Sequence, residues 1–180
     1  SKKIEPLFVQ LSENQSGVHF KNGISESDTN NILTYLYYYN GGGVAIADFN
    51  IDGLPDVFIT GNETTSALYL NKGALKFQDV TLLAGVSTNQ WITGATVVDI
   101  NGDQMPDVYL SVSGGQKAEN RKNLLFVHQG LENGVPSFIE KAAEYDLAVL
   151  YHESIKDTGE RRTFPNMVSR EAARGQEYNA

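Results

Sequence analysis

Two nine-residue stretches concentrate the oxygen-bearing side chains of this chain. They are Asp48 to Asp56, DFNIDGLPD, and Asp99 to Asp107, DINGDQMPD. In the first, Asp48, Asn50, Asp52 and Asp56 stand at positions 1, 3, 5 and 9, and Asp99, Asn101, Asp103 and Asp107 repeat that spacing in the second. Side-chain oxygens at alternate positions of a short loop can turn towards one point. A hard cation such as Ca2+ asks for about six to eight oxygens at roughly 2.3–2.6 Å. The backbone carbonyls of Leu54 and Met105, at position 7, would add to each set. Gly53 at position 6 permits a sharp turn through positive φ, and Pro55 stiffens the exit by fixing its own φ. The expectation is two structural Ca2+ sites, each with three carboxylates whose mutual repulsion a divalent ion largely neutralises. The alternative is a pair of Asp/Asn turns held without an ion by side-chain to backbone hydrogen bonds.

The two loops differ at position 6, where Gln104 replaces the glycine. A left-handed backbone there would cost Gln on the order of 1 kcal/mol more than Gly. The second site is therefore expected to be the weaker. Neither loop is an EF-hand, because position 12 is Ile59 or Leu110 rather than a bidentate Glu and the flanks read as strands. Magnesium dehydrates reluctantly and prefers strict octahedral geometry. Zinc prefers His and Cys.

Strand-length segments must carry these loops. GVAIAD, DVFIT, ALYLN and KFQDVT occupy residues 43–81, and ATVVDI, DVYLSV, NLLFVHQ and SFIEKA occupy residues 95–142. Each is rich in β-branched and aromatic residues and is bounded by Gly, Asn, Asp or Pro. The two sets are copies, offset by 51 residues from Asp48 to Asp99. A period near 50 with four strands per unit predicts an all-β propeller of four-stranded antiparallel blades. Two blades are expected here, at about 43–93 and 94–147. LFVQLSENQSGVHF, residues 7–20, resembles the last strand of each repeat and is expected either to complete a blade or to pack as an edge strand. Two blades and one strand do not close a propeller, so a larger assembly of blades is expected.

Residues 148–180 depart from the pattern as a polar tail or insertion in which a third aspartate loop is due and absent. SREAARGQ reads either as a short helix capped by Ser169 or as part of a long irregular segment.

The repeated D-x-N-x-D-x-x-P-D between strands resembles the FG-GAP/VCBS class of calcium-binding propeller repeats. That class includes the integrin α-subunit head and cartilage acidic protein-like chains. YLYYYNGGGVAIADFNIDGLPDVFITGN, LYLNKGALKFQDVTLLAGV, TGATVVDINGD and FIEKAAEYDL are most similar to VCBS-repeat surface lipoproteins of Bacteroidota. The likeness covers roughly residues 4–147. It implies a propeller with one Ca2+ per loop, exported to the cell surface, with a lipid anchor upstream of Ser1. Members act mostly in adhesion, scaffolding or carbohydrate-related binding. The Phe-Gly and Gly-Ala-Pro tags of the integrin type are absent, so no integrin-like ligand site is carried over.

Composition narrows the partners. The chain has 180 residues, net charge −8, and no cysteine. The length suffices for one core burying about 70% of the unfolded surface. No basic face suggests nucleic acid, and disulfides and thiolate metal sites are excluded. No apolar run approaches the roughly 20 residues of a membrane-spanning helix.

No catalytic constellation is visible, so a non-enzymatic module is expected. His19, His128 and His152 are scattered, no G-x-S-x-G elbow occurs, and NGGG at 40–43 lacks the Lys-Ser/Thr of a phosphate loop. The glycines instead suit a close backbone approach. Tyr37, Tyr38, Tyr39 and Trp91 are candidates for contacting a protein or carbohydrate ligand, with packing between blades as the alternative reading for the tyrosines. Trp91 is expected at a rim, and SGGQKAENRK as an exposed loop. Besides a surface binding module, two further readings remain: a polysaccharide lyase or hydrolase, and a subunit of an outer-membrane glycan-uptake complex.

Overall fold

Each expected segment of the two repeats becomes a strand. A computed structural model describes residues 7–113, 122–141, 149–151 and 167–170. The first sheet runs β1 (Val44–Ala47), β2 (Asp56–Ile59), β3 (Ala67–Asn71) and β4 (Phe77–Asp79). The second runs β5 (Ile92–Val98), β6 (Asp107–Val112), β7 (Leu124–Glu132) and β8 (Val135–Lys141). Both are antiparallel with strands in sequential order. The fold is all-β, two blades of a partial propeller.

Register decides which residues meet. Ala45 pairs with Phe58 and Phe58 with Leu68, so these share one face of the first sheet. On the second sheet Ala95 pairs with Leu110 and Leu110 with Leu124, while Val97, Val108 and Phe126 pair in the same way. These residues form one core cluster, joined by Leu70, Val80, Val86 and Phe138. Burying a large aliphatic or aromatic side chain contributes about 1.5–3 kcal/mol, so this shared core holds the blades together.

The opposite face of the first sheet pairs Val44 with Ile59 and Ile46 with Val57. Val44 and Ile46 are exposed there. By the repeat offset these four stand where Ala95, Leu110, Val97 and Val108 stand in the second blade, on the face that packs. The first blade thus shows outward the pattern that the second blade buries.

Glycine serves the close approach expected at residues 40–43. A Cβ on Gly43 would lie 2.6 Å from the Ala95 nitrogen, and one on Gly42 would overlap the Thr60 carbonyl. The glycines let β1 begin beside β5.

Residues 7–20 correct an expectation, because they form no strand. A fourth-strand sequence needs a third-strand neighbour, since an isolated strand has no ladder, and none pairs with it among the described residues. Leu7, Phe8 and Val9 therefore stay exposed. Downstream, Ser12 and Gln15 form a reciprocal capping box and start a single helical turn, α1 (Glu13–Ser16), which Gly17 ends at φ 77°. The likeness to the other repeats survives in this turn. Gly17 corresponds to Gly85, at φ 74°. A Cβ on Gly17 would overlap the Phe77 carbonyl oxygen, and one on Gly85 would lie 3.2 Å from that of the equivalent Phe138.

Residues 143–180 form a second compact unit. Within it β9 (Val149–Tyr151) pairs in parallel with β10 (Met167–Arg170). Ser169 lies inside β10 and caps no helix there, because pairing with β9 engages the backbone that a helix start would leave free. The rest of SREAARGQ lies outside the described residues, as does most of SGGQKAENRK. No helix among the described residues is long and apolar enough to cross a membrane.

Candidate functional site: two aspartate loops

Each loop joins the first two strands of its blade, β1 to β2 and β5 to β6. The first carboxylate folds back over the turn. Asp48 accepts the N–H of Asp52 at 3.0 Å and of Gly53 at 2.7 Å. Asp99 likewise accepts the N–H of Gly102, Asp103 and Gln104 at 2.8, 3.1 and 3.0 Å. At position 5, Asp52 accepts the Leu54 N–H and Asp103 the Met105 N–H. The position 3 amides donate to the same residues, Asn50 to Asp52 at 2.9 Å and Asn101 to Asp103 at 2.8 Å.

The last carboxylate ties each loop to its sheet. Asp56 is fully buried and accepts the N–H of Phe49 at 2.8 Å and of Asn71 at 2.7 Å. Asp107, also fully buried, accepts the N–H of Ile100 at 2.9 Å and of His128 at 2.8 Å. Burial pushes the Asp56 carboxyl above its ordinary value, while the N–H groups of Asn71 and Phe49 oppose the rise.

Asn71 and His128 are buried polar residues beside the loops that the ligand spacing does not single out. Asn71 ends β3 and His128 lies within β7, both in the third strand of a blade, and the alignment of LYLN with LFVH already places a polar residue there. The Asn71 side chain donates to the Pro55 carbonyl at 3.0 Å and accepts the Gly73 N–H at 2.9 Å. His128 Nδ1 accepts the Gly130 N–H at 2.9 Å, which assigns the ring proton to Nε2. That nitrogen faces the Phe49 carbonyl at 3.0 Å, inside the other blade's loop. The ring also packs edge-on to Phe138.

The backbone evens out a difference expected between the loops. Gln104 does adopt positive φ, 68°, but Ile51 does so too, at 57°. Each loop has two left-handed positions, 4 and 6, and one glycine between them: Ile51 and Gly53 in the first loop, Gly102 and Gln104 in the second. The first loop places a β-branched residue at the strained position, where the left-handed conformation is least tolerated. The glycine count therefore gives no reason for the second loop to be the weaker.

As a cation site the loops have the right donors in a hydrogen-bonded arrangement. Among the described residues no three acidic or histidine side chains converge at metal-holding separation. The carboxylates spend part of their acceptor capacity on backbone N–H groups, although each offers about four lone-pair positions. Within the loops one atom stands apart. Asn50 Oδ1 is buried and has no hydrogen-bond partner among the described residues. A buried acceptor left unmet costs about 1–3 kcal/mol. Its counterpart Asn101 Oδ1 accepts the Asp103 N–H at 3.0 Å. An all-oxygen set with an orphaned buried oxygen at position 3 fits a hard cation such as Ca2+.

The aromatic candidates divide. Tyr38 and Trp91 are buried at 0% and 3% exposure and pack against each other at 5.2 Å. Tyr35 meets Trp91 edge-on at 5.9 Å. Trp91 lies in the interior rather than at a rim, so it and Tyr38 offer a surface ligand little. Tyr37 and Tyr39 stay exposed. Glu63 fastens this segment by accepting the Ser25 N–H, the Asn30 amide and the Tyr38 hydroxyl.

Comparison with known families gives two matches. A family model for the FG-GAP-like repeat matches residues 48–110, from the first residue of the first loop into β6. A family model for glycoside hydrolase 97 matches residues 115–173. The first match spans both aspartate loops and the core strands between them. The second falls on β7, β8 and residues 143–173 of the second unit.

Proposed function

We propose, from the premise of an FG-GAP-like repeat at residues 48–110, that the chain is a non-enzymatic propeller module stabilised by Ca2+. It would serve binding, adhesion or complex assembly at the surface of the cell. The single observation that carries the calcium reading is the buried, unpartnered Asn50 Oδ1 within a loop whose other donors are carboxylates. The ligands would be Asp48, Asn50, Asp52, Asp56 and the Leu54 carbonyl in one loop. In the other they would be Asp99, Asn101, Asp103, Asp107 and the Met105 carbonyl. The ion would pin the turn between the first two strands of each blade, ordering a rim without taking part in chemistry.

The binding partner would be a surface protein or carbohydrate, with Tyr37 and Tyr39 as the exposed aromatic contacts. An outer-membrane transporter complex and a lipid anchor upstream of Ser1 belong to the same reading. Calorimetric melting in CaCl2 and in EGTA tests it. A melting temperature that does not fall in EGTA would sink the calcium claim.

A second reading has one observation in its favour, the glycoside hydrolase 97 match at residues 115–173. On that reading the blades are a scaffold for a polysaccharide-processing enzyme. Incubation with a glycan panel, followed by assay for new reducing or unsaturated ends, separates the two.

A further inference from the structure

The two aspartate loops lie in different blades, yet one line of hydrogen bonds joins them. Asp107, the last residue of the second loop, accepts the His128 backbone N–H at 2.8 Å. His128 Nε2 meets the Phe49 carbonyl at 3.0 Å. The Phe49 N–H in turn reaches Asp56, the last residue of the first loop, at 2.8 Å. Each member is buried: Asp56, Asp107 and Phe49 at 0% exposure and His128 at 2%. Water therefore does not compete for these bonds, and each is stronger than it would be at the surface.

We infer that the two loops bind cations cooperatively, with His128 as the positioning residue that couples them. This rests on the calcium reading above. An ion that draws in Asp107 fixes the His128 backbone, and through the ring it fixes the Phe49 peptide. The Phe49 carbonyl lies in the peptide that leads to Asn50, and the N–H on the other side of the same residue donates to Asp56, so two ligands of the first loop are set before an ion arrives. The linkage is reciprocal, as binding free energies require.

The first repeat indicates what an uncoupled residue looks like. Asn71 holds the equivalent place, accepts the Gly73 N–H as His128 accepts that of Gly130, and its amide stays within its own blade by donating to the Pro55 carbonyl. The substitution His128→Asn should keep the local bond and lose the one between blades.

Calcium titration calorimetry of the full chain tests the proposal. Asp103→Asn leaves the first loop alone, and Asp52→Asn leaves the second. In the otherwise unaltered protein, the product of the two stepwise binding constants should exceed the product of these single-loop constants by on the order of 5- to 10-fold. In the His128→Asn background the two products should agree. Equal products without that substitution, or an excess that persists with it, would overturn the proposal.

A protein that takes up no calcium in any form fails the calcium reading instead. Coupling is then read from amide hydrogen exchange in EGTA. Asp107→Asn, which breaks the line at its start, should speed exchange of the Phe49, Asp52 and Gly53 amides several-fold, and should have no such effect once His128 is Asn. First-loop amides indifferent to Asp107→Asn would end the inference in that setting too.

Discussion

Asp56 accepts the backbone N–H of Asn71 at 2.7 Å, joining the exit of the first loop to the end of the third strand. Its other oxygen accepts the Phe49 N–H at the start of the same loop. One buried carboxylate thus closes the loop and anchors it to the sheet. Asp56→Ala would strand two buried donors. We expect a loss of about 2–4 kcal/mol of unfolding free energy, since a hydrogen bond to a charged group contributes about 1.5–3 kcal/mol and its burial cost is partly returned. Urea denaturation measures it.

Proton and cation should compete at the same carboxylate. Burial raises the Asp56 pKa above its unfolded value, so the ion-free fold binds that proton more tightly than the unfolded chain does. The resulting stability is fully present below the unfolded pKa and is lost as pH rises through the folded one. A bound cation reverses the preference because it requires the ionised form. The difference in stability between the parent and Asp56→Asn should therefore fall with rising pH in EGTA and grow in CaCl2. Parallel denaturation series across the carboxylate range read both slopes.

Backbone strain in the loops predicts stabilising changes. Ile51 at φ 57° and Gln104 at φ 68° hold a conformation that glycine adopts freely. Both side chains are exposed, so little packing would be lost. Ile51→Gly and Gln104→Gly should each stabilise by about 0.5–1 kcal/mol. Ile51→Gly should have the larger effect, because β-branched residues fit positive φ worst. Thermal melts in EGTA isolate the backbone contribution from ion binding.

Trp91 is the chain's single tryptophan and is buried at 3% exposure. Its fluorescence should be resistant to iodide and unchanged by any ligand that touches only Tyr37 and Tyr39. Alanine at Tyr37 or Tyr39 should cost about 0.5–1.5 kcal/mol, the worth of the edge-on ring pair each makes with Tyr35 or Tyr38. Alanine at Tyr38 should cost about 3–5 kcal/mol, as for a large buried aromatic.

The eight strands of the blades and both aspartate loops were legible in the sequence, because each rests on local chemistry. Alternating Val, Ile, Phe and Tyr suits a pleated sheet with one buried face, and Asp, Asn, Gly and Pro end each strand wherever they cluster. A repeat then doubles the signal, since two copies of one ligand spacing must share a geometry. The sequence also determined that Asn71 and His128 are equivalent, although nothing local said what that position does.

Only the tertiary structure decided the rest, and the reason is that packing and pairing depend on neighbours far along the chain. Residues 7–20 carry a strand-like sequence but pair with no strand among the described residues, and a capped turn replaces the ladder. Trp91 and Tyr38 have the character of surface ligand contacts, yet they stack on each other in the interior. Ile51 gives no sign of positive φ until the loop closes over Asp48. The reach of His128 to the Phe49 carbonyl spans 79 residues, and no spacing rule could have shown it, because it exists only where two blades meet.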